Sequence, residues 1–104
     1  MTEQVLTAIF SDEIKDEIID TLMALQGLSG FSLGQIDGYS RKHSQYDLKE
    51  QVAGYRRMWR AEVLHRHEQE RELLLALEES SRASHLRYWV MPLQVCGTFG
   101  DGDG

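Results

Sequence analysis

Residues 3–27 read EQVLTAIFSDEIKDEIIDTLMALQG, and this stretch decides the fold. Its first eight residues are rich in β-branched and aromatic side chains and predict a strand. Both faces of that strand are apolar, which is typical of a central strand covered on both sides. A helix is predicted to begin at Ser11, a good N-cap, and to end near Gly27, where a C-cap glycine belongs. The apolar stripe of this helix comprises Ile14, Ile18, Leu22 and Leu25.

Downstream of this unit the chain repeats strands and a helix in a matching order. The further elements are a strand at 28–40, a loop at 41–51, a strand at about 52–64, a helix at 66–82 and a strand at 85–97. The stripe of the second helix comprises Leu73, Leu74 and Leu77. Pro92 cannot donate a ladder hydrogen bond, so it indicates an edge, a bulge or a bend in the last strand.

This order predicts an α+β fold of the ferredoxin-like βαββαβ type. Four strands form an antiparallel sheet, and both helices pack on one face of it. The other sheet face is left uncovered although it carries apolar residues, and such a face favours homo-oligomerisation. We assign residues 1–97 to this single domain and residues 98–104 to a flexible C-terminal tail.

Composition excludes several classes of protein. The chain has 104 residues, which allows one domain with a modest core. Its formal net charge of -6 argues against nucleic-acid binding and against an anionic membrane surface. No apolar stretch is long enough to span a membrane, and the N-terminus does not resemble a signal peptide. The single cysteine, Cys96, allows no intramolecular disulfide, so we expect a cytoplasmic protein. A lone cysteine is more often a small buried hydrophobic residue than a metal ligand.

Four short segments resemble the PII-like signalling proteins. The turn Gly38-Tyr39-Ser40-Arg41 is similar to the turn that ends the second strand in PII proteins, and a loop shorter than theirs follows it. The segments Gly27–Phe31, Glu50–Gly54 and Tyr88–Val90 are similar to segments of a proteobacterial PII-like group that is often encoded beside heavy-metal efflux pumps. The element order matches along nearly the whole chain.

The resemblance implies a homotrimer with ligand clefts between its subunits. It also implies a loop between the second and third strands that changes shape on ligand binding, and a membrane transporter for heavy-metal efflux as the regulated partner. One departure concerns ATP. Where PII proteins carry a Gly-Asp-Gly-Lys segment for the nucleotide phosphates, this chain has Ser84-His85-Leu86-Arg87, which argues against ATP binding of the PII kind.

A basic cluster beside the glycine turn is the first candidate ligand site. Arginine pairs bidentately with carboxylate or phosphate, so the cluster is suited to an anionic small molecule. Its residues are Gly38, Arg41, Lys42, Arg56 and Arg57. The alternative is that the strand arginines are ordinary outward residues paired with the many acids of the chain.

Histidines form the second candidate site, with a transition-metal ion as the cofactor. His65 and His67 would share one side if the third strand extends through both of them, and His43 in the loop is a third ligand of the same kind. The alternative is that His65 and His67 begin the second helix as solvent-exposed residues.

Catalysis finds no support in the sequence, and we expect the protein not to be an enzyme. No serine, cysteine or threonine stands at a recognisable motif spacing from a base, and no phosphate-binding glycine pattern is present. Two functions therefore stay open. One is an effector-binding regulator, and the other is a ligand-free protein-interaction module that uses the loop or an open sheet edge.

Overall fold

A computed structural model describes residues 3–39 and 56–100 of the chain. The elements within those residues are β1 (Glu3–Ser11), α1 (Lys15–Ala24), β2 (Phe31–Gly38), β3 (Arg56–Arg66), α2 (Glu70–Ser80) and β4 (Leu86–Pro92). Each helix follows a short 3-10 turn, at Asp12–Ile14 and His67–Gln69. The strands form one antiparallel sheet in the order β2-β3-β1-β4, which confirms the predicted ferredoxin-like fold.

The core lies between the two helices and one face of this sheet. On β1, Leu6, Ala8 and Phe10 point to the helices and are fully buried, as strand alternation requires. The register places Val63 opposite Leu6 and Ala61 opposite Ala8, so these β3 side chains join the same core. The helices complete it with Ile14, Ile18, Leu22, Leu73 and Leu77. These five residues of the two predicted helical stripes are therefore confirmed as buried. The other two, Leu25 and Leu74, are only half-buried against the core, and Leu25 lies just beyond the end of α1.

The ends of α1 depend on contacts that the sequence does not encode locally. Ser11 stands at the predicted N-cap, but its hydroxyl lies 3.2 Å from that of Ser84 and makes no capping hydrogen bond. The helix ends at Ala24, before the predicted position, and Gly27 then adopts a φ of +88°. A Cβ atom at Gly27 would lie 2.8 Å from the Gln69 amide nitrogen, so the position requires glycine.

Several predicted boundaries are corrected. The second and last strands are shorter than the predicted 28–40 and 85–97, and β3 runs on to Arg66. Gln69 explains where β3 stops. Its side chain accepts a hydrogen bond from the Arg66 backbone N–H (2.8 Å) and donates one to the Gly27 carbonyl (2.8 Å), which ties the strand end to the end of α1. The predicted loop 41–51 and the start of the third strand lie outside the described residues.

The sheet face turned away from the helices, here called the open face, is partly apolar, and no element within residues 3–39 and 56–100 covers it, as predicted. Its apolar side chains are Val5, Ile9, Ile36, Met58, Leu64, Trp89 and Met91. A further correction concerns Cys96, which is exposed rather than buried. Neither described helix has the length and apolar character that crossing a membrane requires.

Candidate functional site

Several polar side chains lie among the core residues at the end of the sheet where β1 begins and β3 ends. Gln4 lies opposite His65 in the register, on the same sheet face as the core residue Leu6. Gln4 is 8% exposed and His65 only 2%. His67 follows immediately after the strand and contacts Gln4. We call Gln4, His65 and His67 the His65 site.

The hydrogen bonds of the His65 site assign a role to each ring nitrogen. The Nδ1 atom of His65 lies 3.0 Å from the Arg66 carbonyl oxygen, which can only accept, so Nδ1 carries a proton, and in the neutral ring Nε2 is then the acceptor. Gln4 Nε2 can only donate, so it donates to His67 Nδ1 at 3.2 Å. This leaves His65 Nε2 and Gln4 Oε1 as acceptors.

Neither acceptor has a donor. His65 Nε2 and Gln4 Oε1 are both buried, and neither has a hydrogen-bond partner in the described structure. Leaving a buried polar atom unsatisfied costs about 1–3 kcal/mol, so two such atoms at one place call for an explanation. A species that supplies positive charge or donor hydrogens would satisfy them, which means a cation or a water molecule.

The chemistry of these atoms favours a transition-metal ion over a harder cation. Neutral imidazole is a common ligand of zinc, copper and nickel, and an amide oxygen is compatible with it. A metal-binding histidine usually donates its second ring N–H to a carbonyl or carboxylate, which fixes the tautomer. The bond from His65 Nδ1 to the Arg66 carbonyl is of that kind.

Only two of the three predicted metal ligands, His65 and His67, belong to the His65 site. His65 and His67 do not share one side of a strand, because β3 ends at Arg66 and His67 begins the 3-10 turn. They are connected through Gln4 instead. His43 lies outside the described residues, and within 3–39 and 56–100 no group of three or more His, Cys, Asp or Glu side chains is placed to hold a metal.

The predicted basic cluster is divided between two faces. Arg56 lies opposite Gly38 on the open face, whereas the next residue, Arg57, projects to the helix-bearing face and is exposed. Gly38 packs closely against β3, because a Cβ atom there would lie 2.7 Å from the Met58 side chain, which would then have to move. Arg41 and Lys42 are outside the described residues.

At the opposite end of the sheet a tryptophan joins β3 to the start of α1. The Trp59 indole N–H donates to an Asp12 carboxylate oxygen at 2.6 Å, and the Lys15 ammonium lies 4.4 Å from the centre of the ring. Both contacts fix the 3-10 turn before α1 against β3. We interpret this cluster as structural, because it joins two elements and its polar atoms already have partners.

Gln4 is the site residue that sequence reasoning missed. The signal was present, because strand alternation places residue 4 on the same face as Leu6, Ala8 and Phe10. A glutamine in a core position of a central strand is unusual and needs a partner.

Comparison with known proteins identifies the family. The family described as "Protein of unknown function (DUF3240)" matches residues 1–100. A crystal structure of a DUF3240 family protein from Shewanella baltica OS155, at 2.40 Å resolution, is 41% identical in sequence, covers 96% of this chain and 99% of that chain, and superposes with a TM-score of 0.80. No curated protein matches the chain. The likeness to PII proteins stays a prediction, whereas the family match and the crystal structure agree that the chain belongs to the DUF3240 family.

Proposed function

We propose that this protein is a small PII-like regulator that binds a transition-metal ion as its effector at the His65 site. The observation that carries the proposal is the pair of buried acceptors, His65 Nε2 and Gln4 Oε1, without donors in the described structure. An ion between them would be held by one imidazole nitrogen and one amide oxygen. His67 would add a third ligand once its hydrogen bond to Gln4 is released. Such a set leaves a coordination position open to water or another molecule.

The open face supports the oligomeric part of the proposal. Leu64 and Met91 flank Val5 on neighbouring strands, and all three lie on this uncovered face. Leu64 and Met91 are both exposed among the described residues, so part of this apolar patch is in contact with water. A second copy that covers it would remove apolar surface from water, and the resemblance to PII proteins favours a homotrimer. The same resemblance favours effector clefts between subunits and a heavy-metal efflux transporter as the regulated partner.

Calorimetry with metal salts tests effector binding. We expect at least one of Zn²⁺, Cu²⁺, Ni²⁺ and Co²⁺ to bind with one ion per chain, because the His65 site offers nitrogen as well as oxygen ligands. Mg²⁺ and Ca²⁺ are the controls and should give no binding heat, since they prefer sites made entirely of oxygen ligands. Pyrophosphate and MgATP form the anion arm of the panel. Binding heat from the anions alone would indicate an anionic effector bound by the arginines of the basic cluster. No heat from any compound would contradict effector binding.

Sedimentation equilibrium of a Leu64→Lys variant tests the oligomer. Docking a second copy onto the open face would bury the new ammonium without a partner, which costs about 3–5 kcal/mol. We therefore expect the subunit dissociation constant to rise by about a hundredfold or more. The matched control is Met23→Lys, which places the same charge on an exposed position of α1 and should leave association unchanged. A wild-type protein that sediments at the mass of one chain would contradict the oligomer.

A further inference from the structure

A groove of about 250 Å³ lies between α2 and β4, on the sheet face that carries the helices. Its lining includes Leu74, Leu75, Leu77, Ser81, Leu86 and Tyr88. Leu75 and Tyr88 are each about half exposed, so the groove is open. Most of its lining is apolar, and Glu78 and Ser81 add polar groups. Among the described strands β4 pairs only with β1, and its outer edge therefore presents unpaired backbone groups beside the groove.

The segment after β4, here called the tail (residues 93–100), carries apolar side chains that the described part of the chain does not bury. Val95 is 89% exposed and Phe99 is fully exposed. In an extended segment Val95, Gly97 and Phe99 project to the same side, because side chains alternate along a strand. Valine, threonine and phenylalanine are all favoured in strands, so the tail is suited to extended pairing.

We propose that the tail of one copy adds to the outer edge of β4 in a second copy. Its backbone pairs with the free strand edge, and Val95 and Phe99 fill the groove beside it. This is the mode in which extended peptides commonly bind an open sheet edge, with main-chain hydrogen bonds supplying affinity and alternate side chains entering pockets. This arrangement explains three features together, namely the exposed tail residues, the mostly apolar groove and the unpaired outer edge of β4.

The geometry at the end of β4 favours a second copy over the chain's own tail. The Leu93 backbone N–H donates to the Glu3 carbonyl at 2.9 Å, so the backbone is still paired with β1 at Leu93, and a bend follows at Gln94. To reach its own groove the tail would have to reverse in a tight hairpin at Leu93-Gln94. Two-residue hairpin turns favour Gly, Asn or Asp, and neither residue is one of these.

This inference goes beyond the proposed function, because it rests on the helix-bearing face and leaves the His65 site and the open face untouched. If each subunit gives its tail to the next one, the contact is heterologous and closes into a ring for a trimer. It would then supplement an interface made by the open face.

Cysteine cross-linking tests the tail contact. The reporter protein carries Cys96→Ser to remove the native thiol, Gly97→Cys on the tail and Ser81→Cys at the groove. Gly97 tolerates a side chain, since a Cβ atom there meets nothing within 4 Å. With a short bismaleimide we expect a cross-link of doubled mass, formed about tenfold faster than in either single-cysteine parent, because docking concentrates the two thiols. Peptide mass mapping should locate it between positions 81 and 97.

Two further variants and the mass of the product decide the outcome. Adding Phe99→Ser to the reporter should reduce the doubled-mass product to the parental level, whereas Thr98→Ala, on the opposite side of an extended tail, should leave it unchanged. A bridge within a single chain would overturn the second copy as the occupant, and a yield equal to that of the parents would overturn docking altogether. Phe99→Ser separates the two proposals. Sedimentation of that variant, with and without Leu64→Lys, measures the open-face contact without the tail contact.

Discussion

Replacing Phe10 by alanine should lower the free energy of unfolding by about 3–5 kcal/mol. Phe10 is fully buried on the central strand β1, where it lies opposite Trp59 of β3 and Leu86 of β4. Truncation removes a ring that no neighbour can replace and leaves a cavity between sheet and helices. Since small domains are stable by about 5–15 kcal/mol, the variant should be close to unfolding at ordinary temperature. Urea unfolding followed by circular dichroism measures the change.

The matched control for Phe10→Ala is Met23→Ala on α1. Met23 is 72% exposed, so its truncation should change the unfolding free energy by less than about 0.5 kcal/mol. The urea dependence should keep the same slope in all three proteins, because the surface exposed on unfolding is similar. A loss below about 1 kcal/mol for Phe10→Ala would contradict its place at the centre of the core.

The fold was predictable because its deciding residues are periodic. Ile14, Ile18 and Leu22 recur at helical spacing, and all three are buried in the structure. The alternation of Leu6, Ala8 and Phe10 likewise predicted one face of β1. These patterns depend only on local geometry, so they do not need knowledge of the tertiary neighbours.

The ends of the elements were less predictable because they depend on distant partners. The end of β3 depends on Gln69, whose side chain reaches both Arg66 and Gly27. Ser11 was correctly placed at the start of a helix, but its hydroxyl lies within hydrogen-bond distance of Ser84, which is 73 positions away in the sequence. Local propensity gives no information about such contacts between elements.

The candidate site was predictable in part for the same reason. His65 and His67 were recognised by residue type, but their relation depends on where β3 ends and on a residue from β1. Gln4 lies 61 positions before His65 and becomes its neighbour only through the antiparallel register. The basic cluster was predicted because its residues are close in sequence. Arg56 and Arg57 are neighbours on one strand, however, so their side chains project to opposite faces of the sheet.

The His65 site leads to a prediction in which metal affinity falls while the stability of the metal-free protein stays nearly unchanged. In His65→Leu, a buried acceptor without a donor is replaced by an apolar side chain of similar reach. The variant loses the hydrogen bond to the Arg66 carbonyl and also loses the unsatisfied nitrogen, and these two effects are each about 1 kcal/mol with opposite signs. Without metal, the unfolding free energy should therefore stay within about 1 kcal/mol of wild type.

With metal, the same variant should behave very differently from wild type. Removing a direct ligand should weaken metal affinity by at least about a hundredfold, since even indirect supports of a metal site are worth tenfold to a hundredfold. At a metal concentration a hundred times its dissociation constant, wild type should gain about 2.7 kcal/mol of stability, and His65→Leu should gain almost none. Urea unfolding with and without the metal that binds in calorimetry measures both quantities in one experiment.

His85→Leu is the matched control, because His85 is exposed and lies just before β4, at the opposite end of the sheet from the His65 site. It should keep wild-type affinity and the full stabilisation by metal. Retained affinity in His65→Leu would place the metal elsewhere in the chain. A loss of 3 kcal/mol or more in the absence of metal, on the scale of about 3–5 kcal/mol for breaking a buried interaction, would make His65 a structural residue. Only the combination of unchanged intrinsic stability and lost metal affinity fits two acceptors held buried for a ligand, because a residue retained for packing alone would lose stability whether or not metal is present.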